Sequence, residues 1–332
     1  MRFTGQGNAT ANGGAVAMQR KQKPENHPRK IKGIGGWKTQ AGYYAMLAIP
    51  VLLLFVFNYL PLAGTYMAFS DFKPAKGVFG SEWVGLKWFI QFFSSTDFTR
   101  IFTNTIYYNI LNIFLVRIVG GMVMALLLFE IRSRIGNKVF QTSMLLPSFL
   151  SWTVISAVLY MVIGSGGYLN NFLALFGVKA PSWYSDAQVW RYLIPIAELY
   201  KNAGMTSIYY FAALLSIDGE LFDAAKIDGA NRLQQIRHIS IPAIKSVVSI
   251  TLILAMGDVL TAGISPFYEL TFDQGSLYDT TMVIGTFLKN GLQGGRFSYT
   301  AAVGLTESLI SVIMVVAANL FVKKVDPESS LF

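Results

Sequence analysis

The chain has 332 residues, of which 53% are hydrophobic and only 14% are charged. Soluble domains carry about 25% charged residues, so the composition excludes an ordinary soluble domain and favours an integral membrane protein. The lack of cysteine excludes disulfides and thiolate metal sites. The net charge of +9 could indicate nucleic-acid binding, but the basic residues cluster beside apolar segments. That distribution favours a membrane protein with a positive inner face and no nucleic-acid partner.

Residues 1–40 form a basic N-terminal tail. The first 38 residues contain eight Lys and Arg side chains against one acid, Glu25, and residues 1–36 contain no apolar run. Such a segment cannot bury a core, so we predict that it is disordered and cytoplasmic. It also lacks the short apolar core of a secretory signal peptide.

Six apolar spans follow, each close to the roughly 20 residues that cross a bilayer. We predict an all-α integral membrane protein whose six transmembrane helices form a permease domain over residues 41–325. The fifth span is the shortest. The predicted spans are Tyr43–Phe69, Phe102–Phe129, Val139–Ile163, Tyr192–Leu215, Val247–Ile264 and Tyr299–Val322.

The basic residues also predict the orientation of the spans. With the N-terminus inside, the inner segments carry about twice as many Lys and Arg residues as the outer loops. Both termini, including a short tail at 326–332, are then cytoplasmic, and so is the loop at 216–246. Two outer segments, 70–101 and 280–298, mix aromatic and charged residues. They are either interfacial anchors or surfaces that receive a partner.

The loop at 216–246 contains a polar segment between two apolar spans. Asp218 is placed to cap a helix that begins near Glu220. Ala224, Ala225, Gly229 and Ala230 would leave one face of that helix almost without side chains, and Pro242 would end the segment. The segment is either an ordinary connecting loop or a helix that docks closely into a partner.

The sequence Asp223-Ala-Ala-x-x-Asp-Gly-Ala, followed by Ile239-x-Ile-Pro, resembles the EAA loop of permease subunits in binding-protein-dependent ABC importers. The family usually has Glu where this chain has Asp223, a change that keeps the charge. Four further stretches resemble the oligosaccharide and polysaccharide branch, which is LplB-like and related to maltose permeases. They are Phe57-Asn-Tyr-x-Pro61, Phe79-Gly-Ser-x-Trp-Val-Gly-Leu86, Leu146-Pro-Ser-Phe-Leu-Ser-Trp152 and Ser298-Tyr-x-x-Ala-Val-Gly304.

The resemblance implies a type I importer permease in a bacterial cytoplasmic (inner) membrane. The loop would be a coupling helix that docks on an ATPase subunit. A second, homologous permease would complete a heterodimer, two ATP-binding subunits would bind ATP and Mg, and a periplasmic or lipid-anchored solute-binding protein would deliver a carbohydrate. The residues expected to couple to the ATPase are Asp223, Ala224, Ala225, Asp228, Gly229, Ala230 and Pro242.

We expect this chain itself to be no enzyme and to hold no cofactor. A phosphate-binding loop requires G-x-x-x-x-G-K-[ST], and the nearest approach, Gly36-Trp37-Lys38-Thr39, lacks the required second glycine. The sequence shows no metal-ligand spacing around His27 or His238, and no Ser-His-Asp arrangement.

Ionisable residues inside spans are costly and mark function or pairing. Glu198 and Lys201 could pair on one helix face, and Arg117 could pair with Glu307 on another helix. The resemblance to maltose-type permeases implies a substrate pathway in three places: after Pro147, before the loop and after the loop. The candidate residues for that pathway are Ser148, Trp152, Glu198, Asn202, Asp258 and Thr261.

Two other classes remain open from the sequence. A secondary transporter would couple ions through Glu198 or Asp258, and would be expected to show an internal repeat. A membrane enzyme would need an interfacial catalytic cluster, which the sequence does not display. The substrate within the carbohydrate class is also open. The acids Glu198 and Asp258 suit a neutral sugar, whereas an anionic sugar would need Lys201, Arg117 or the partner permease.

Overall fold

The computed structural model describes residues 37–260 and 264–325, and the side chains of 41–260 and 265–324. Most of the predicted basic tail and the whole predicted tail at 326–332 therefore lie outside the described residues. The α-helices, in chain order, are α1 (Trp37–Leu54), α2 (Lys87–Phe93), α3 (Thr96–Leu111), α4 (Gly121–Glu130), α5 (Arg134–Phe149), α6 (Trp152–Ile163), α7 (Tyr168–Leu175), α8 (Ala187–Leu215), α9 (Gly219–Ile227), α10 (Arg232–Gln235), α11 (Ile241–Ala243), α12 (Lys245–Gly257), α13 (Ile264–Thr271), α14 (Tyr278–Thr281), α15 (Ile284–Gln293) and α16 (Phe297–Val325).

Other regular elements join these helices. Three π-helical segments are found at Phe55–Tyr59, Asn112–Gly120 and Ile236–Ser240, and 3₁₀ turns at Leu60–Phe69, Pro74–Lys76 and Gly275–Leu277. Two short antiparallel strands, β1 (Ser70–Asp71) and β2 (Glu82–Trp83), pair with Ser70 opposite Trp83. The described chain is thus mainly helical, as predicted.

The chain divides into two units, residues 1–60 and 61–332. In the first unit, α1 continues into the π-helical turn, where the rings of Phe55 and Tyr59 stack with centroids 6.0 Å apart. The second unit contains every element from α2 onward and all of the candidate site residues discussed below that the structure describes.

Four described helical stretches are long and apolar enough to cross a membrane, which makes the protein a multi-pass membrane protein. They are Ala41–Phe69, Thr96–Glu130, Trp152–Leu175 and Phe297–Lys324. Three of these match the predicted first, second and sixth spans. A fifth span is possible if Arg232–Ala243 and Lys245–Gly257, which meet at a bend of 55°, are taken together.

The predicted third span, Val139–Ile163, is broken in the structure. Helix α5 ends at Phe149, Leu150 and Ser151 are extended, and α6 begins at Trp152. Ser151 accepts a hydrogen bond from the backbone N–H of Val154, which caps the new helix. Pro147 lies in the last turn of α5 and removes one backbone donor there, and the helix ends two residues later.

The predicted fifth span, Val247–Ile264, is shorter than expected. Helix α12 ends at Gly257, and a separate helix, α13, begins at Ile264. Helix α8 contains the whole predicted fourth span, Tyr192–Leu215. It carries Arg191, Glu198, Lys201 and Asn202, so it is more polar than the four apolar stretches and is not one of them.

Helix α8 lies at the centre of the second unit. Its side chains Trp190, Ile194, Tyr210 and Leu214 are fully buried. Glycines permit its close packing: a Cβ on Gly204 would lie 2.0 Å from the carbonyl oxygen of Met144 on α5. Small residues let transmembrane helices approach in this way. The close contact fixes α8 against α5.

Candidate functional site

A cleft of about 630 Å³ opens between α8, α12 and the π-helical segment Asn112–Gly120. It has both polar and apolar walls. The apolar wall includes Val116, Met205, Ile250 and Leu254. The polar lining consists of Asn109, Asn112, Arg117, Glu198, Asn202, Thr206, Tyr209, Thr251 and Asp258.

A chain of polar contacts crosses one wall of this cleft. Asn202 and Asn112 both donate to Oε2 of Glu198, at 2.5 and 3.2 Å. The guanidinium of Arg117 donates to Oδ1 of Asn112 at 3.3 Å and to Oδ2 of Asp258 at 3.2 Å. The chain of contacts therefore links α8, the π-helical segment and the end of α12, which are the three elements that form the cleft.

The predicted residues Glu198 and Asn202 are brought together as expected. They lie four residues apart on α8, share one face and are directly hydrogen-bonded. Asp258 also reaches the cleft, but it follows the last residue of α12 and is not inside a helix. Its predicted neighbour Thr261 lies outside the described residues.

Ser148 and Trp152 do not line the cleft and do not share a helix face, because the break at Leu150 and Ser151 places them on different helices. The hydroxyl of Ser148 donates to the carbonyl of Leu145 on its own helix. The ammonium nitrogen of Lys201 lies over the ring of Trp152, 5.4 Å from the ring centroid. The sequence missed the break because apolar residues continue through it.

Lys201 has different partners from those predicted. Its ammonium donates to the carbonyls of Ser148, at 3.2 Å, and of Leu150. These carbonyls belong to the end of α5, where the helix leaves acceptors without intrahelical donors. Lys201 therefore stabilises the helix break, while Glu198 bonds to two asparagines. Arg117 forms an ion pair with Asp258. Its predicted pairing with Glu307 stays a prediction.

Asn109, Asn112 and Arg117 were absent from the predicted substrate pathway. Asn109 and Asn112 are three residues apart in an apolar stretch and therefore face the same side of the helix. A pair of amides at that spacing inside a span is a usable signal, because polar groups are expensive in a bilayer. The π-helical geometry from Asn112 to Gly120 is a second signal, but only the structure contains it.

The loop at 216–246 forms a second candidate site. As predicted, Asp218 caps α9 by accepting from the backbone N–H of Glu220 at 3.0 Å. Asp223 and Ala224 are exposed on α9, and Gly229 follows it with a φ of +78°, a conformation that favours glycine. Pro242 lies in α11, one residue before the helical run ends.

Apolar side chains project from this loop. Ile227 is 87% exposed and Leu233 is 74% exposed, and both lie outside the four apolar stretches. A shallow depression of about 300 Å³ lies beside them, lined by Ala225, Gly229 and Ala230 among others. Exposed apolar groups beside small residues are typical of a protein interaction surface.

Two contacts tie the loop to the end of α4. Arg232 pairs with Glu130 at 3.6 Å, and the rings of Phe222 and Phe129 lie 5.7 Å apart. The apolar stretch that ends at Glu130 also carries Asn112 and Arg117. A single helical run therefore contacts the loop at one end and lines the cleft near its middle.

Among the described residues, no group of three or more His, Asp or Glu side chains is arranged to hold a metal ion. The polar groups of the cleft instead supply hydrogen-bond donors and acceptors. Such groups suit a neutral polar ligand with hydroxyls.

Comparison with known proteins identifies a matching family and similar sequences. A family profile described as "Binding-protein-dependent transport system inner membrane component" matches residues 117–330. The polygalacturonan/rhamnogalacturonan transport system permease protein YteP of Bacillus subtilis is 35% identical, over 87% of this chain and 90% of its own. The protein LplB of the same organism is 34% identical, over 85% and 89%.

A solved structure has a similar fold. It is a crystal structure of a bacterial ABC transporter involved in the import of the acidic polysaccharide alginate. The matching chain is 29% identical, with a TM-score of 0.79, over 87% of this chain and 97% of its own. A second structure, of the bacterial alginate transporter in complex with a periplasmic protein bound to an alginate pentasaccharide, matches with a TM-score of 0.78.

Proposed function

The chain belongs to the family of inner membrane components of binding-protein-dependent transport systems, and on that premise we propose that it is the permease subunit of an ATP-driven carbohydrate importer. The cargo is an oligosaccharide or a polysaccharide fragment, delivered by an extracytoplasmic solute-binding protein. Two of the proteins named above support this substrate class: YteP is a permease of a polygalacturonan/rhamnogalacturonan transport system, and the transporter of similar fold is involved in the import of alginate. The family consists of membrane components of transport systems, so catalysis belongs to a partner.

The polar cleft is the observation that carries the proposal. A permeating sugar must exchange its hydrogen bonds with water for bonds to the protein, and the cleft supplies both donors and acceptors. Glu198 and Asp258 accept hydrogen bonds, and the amides of Asn112 and Asn202 can both donate and accept. We place the substrate pathway along this wall, at Asn112, Arg117, Glu198, Asn202 and Asp258. Ser148 and Trp152 do not line this cleft, and their assignment to the pathway stays a prediction.

The loop at 216–246 is the proposed contact with the ATPase. Asp223, Ala224, Ala225, Asp228, Gly229 and Ala230 lie on α9 or in the turn that follows it. The exposed Ile227 and Leu233 would become buried on docking, which favours association. The contacts of Arg232 and Phe222 with α4 then offer a mechanical path from the ATPase to the cleft.

The proposed assembly has two permease chains, because one docking loop serves one ATPase and the proposed transporter has two ATPase subunits. A second, homologous permease would form a heterodimer with this chain, and the ATPases would hold ATP and Mg. The proposed location is the bacterial inner membrane, with both termini and the loop in the cytoplasm. The family description supports this location.

Replacement of Gly229 tests the docking role. Asp at this position places a side chain and a charge on the proposed contact surface, so we expect lost uptake and weaker binding of the ATPase. Asn is the matched control for the backbone, since it tolerates a positive φ better than other residues and is uncharged. Normal uptake by Gly229→Asp would contradict the proposal, provided that both variants reach the membrane in equal amounts.

A further inference from the structure

A second concavity lies away from the cleft, where α4 ends and α5 begins. It has a volume of about 330 Å³ and is lined by Arg132, Arg134, Lys138 and Gln141 among other residues. We name it the basic pocket. We propose that it binds the phosphate headgroup of an anionic membrane lipid, such as phosphatidylglycerol.

The charges of the basic pocket are not balanced by ion pairs with the residues that the structure describes. None of its three cations forms an ion pair within 4.0 Å with another residue that the structure describes. The segment 131–149 contains no Asp or Glu. The nearest acid in sequence, Glu130, is already paired with Arg232 on the loop at 216–246. Three converging positive charges without an acid are complementary to a phosphate.

The position of the pocket favours a lipid over a free anion. The apolar stretch Thr96–Glu130 ends just before Arg132, which places the pocket at the membrane boundary. Basic clusters directly beside a span attract anionic headgroups. The same segment supplies basic residues to the predicted inner face, where anionic lipids meet a cytoplasmic surface.

Helix α5 adds an apolar surface beside the cations. Ile135 is 77% exposed and Val139 is 59% exposed, and they lie four residues apart on one face. Arg134 and Lys138 have the same spacing and occupy the adjacent face. A headgroup held by the cations would therefore have its acyl chains beside the apolar face, an arrangement that a free phosphate does not use.

The neighbouring contacts hold the pocket in shape. The side-chain amide of Asn137 donates to the carbonyl of Leu128 on α4 at 3.0 Å, which ties α5 to the preceding span. The hydroxyl of Ser133 accepts from the backbone N–H of Gly136 at 3.2 Å. The cations are thus carried by an ordered turn between two helices.

Lipid retention by the purified full transporter tests the proposal. The transporter is exchanged into detergent with equal amounts of phosphatidylglycerol and phosphatidylcholine, and the bound lipids are counted by native mass spectrometry. We expect retention of phosphatidylglycerol over phosphatidylcholine. Each of the substitutions Arg132→Gln, Arg134→Gln and Lys138→Gln is expected to weaken it about fivefold. The double variant Lys323→Gln/Lys324→Gln is the matched control and should retain the lipid.

Four outcomes would overturn the proposal. The first is equal retention of both lipids, and the second is an equal loss in the Lys323→Gln/Lys324→Gln control. The third is complete displacement by inorganic phosphate, with no effect of Ile135→Ser, which would identify a free-anion site. If one of the single Gln variants does not assemble, the other two give the same comparison. A variant that loses the ATPase subunit but keeps the lipid would identify a protein contact and would also overturn the proposal.

Discussion

Arg117 and Asp258 form an ion pair, with 3.2 Å between a guanidinium nitrogen and the carboxylate oxygen Oδ2. The pair joins the π-helical segment Asn112–Gly120 to the end of α12 at the edge of the cleft. Its two side chains are 33% and 58% exposed, so solvent screens the interaction and its contribution to folding is at most about 1 kcal/mol. The pair lies at the edge of the cleft, so we expect it to matter for transport although it contributes little to folding.

Breaking this ion pair should affect transport more than folding. We expect Arg117→Gln and Asp258→Asn each to lower uptake about threefold to fivefold, as a change of about 1 kcal/mol would. The thermal midpoint should change little. The exchanged double variant Arg117→Asp/Asp258→Arg should recover part of the uptake. Equal losses in the single and exchanged variants would show that the pairing itself is unimportant.

Glu198 should tolerate Gln better than Leu. Glutamine keeps a carbonyl oxygen that can accept from Asn112 and Asn202, whereas leucine leaves both amides without this acceptor. We expect Glu198→Leu to lower the free energy of unfolding by about 1–2 kcal/mol, since the open cleft lets water replace part of the lost bonding. Thermal unfolding in detergent measures the difference. Equal stability of the two variants would contradict the role of Glu198 as the shared acceptor.

Gly204 should not accept even one additional carbon atom. A Cβ there would meet the backbone carbonyl of Met144, so Gly204→Ala must move α8 away from α5. We expect a loss of about 1–3 kcal/mol in stability and a lower yield of folded protein. Gly219→Ala is the control, because a Cβ at Gly219 has no neighbouring atom within 4 Å. A stable, active Gly204→Ala variant would show that the two helices pack more loosely.

The contact between Arg232 and Glu130 should connect ATP hydrolysis to transport. We expect Arg232→Glu to leave ATPase activity in the assembled transporter while lowering uptake, because the loop is no longer tied to α4. Uptake per ATP hydrolysed is the quantity to measure. The exchanged variant Glu130→Arg/Arg232→Glu should restore part of it. An unchanged ratio in Arg232→Glu would argue that force passes through another contact, such as that between Phe129 and Phe222.

The sequence predicted the features that depend on composition and local spacing. Apolar runs located three of the long spans, and the i, i+4 spacing placed Glu198 beside Asn202. The cap at Asp218 followed from local preference and is present. The likeness of the loop to a family motif agrees with the family that the chain belongs to.

The remaining features depend on packing between distant segments. Arg117 forms an ion pair with Asp258, which is 141 residues away in the sequence, and no helical periodicity relates the two. Lys201 binds carbonyls that exist as free acceptors only because α5 ends at Phe149. The apolar sequence through Leu150 does not reveal that break, so the sequence predicts one continuous third span where the structure has two helices.

The central claim is best tested by reconstitution into vesicles. The chain, its partner permease, the ATPase subunits and the solute-binding protein are assembled, and uptake of a labelled oligosaccharide is followed. We predict uptake that requires both ATP inside, on the ATPase side, and the binding protein outside, with no uptake from a proton or sodium gradient alone. Gradient-driven uptake without ATP would contradict the account and would instead support ion coupling through Glu198 or Asp258.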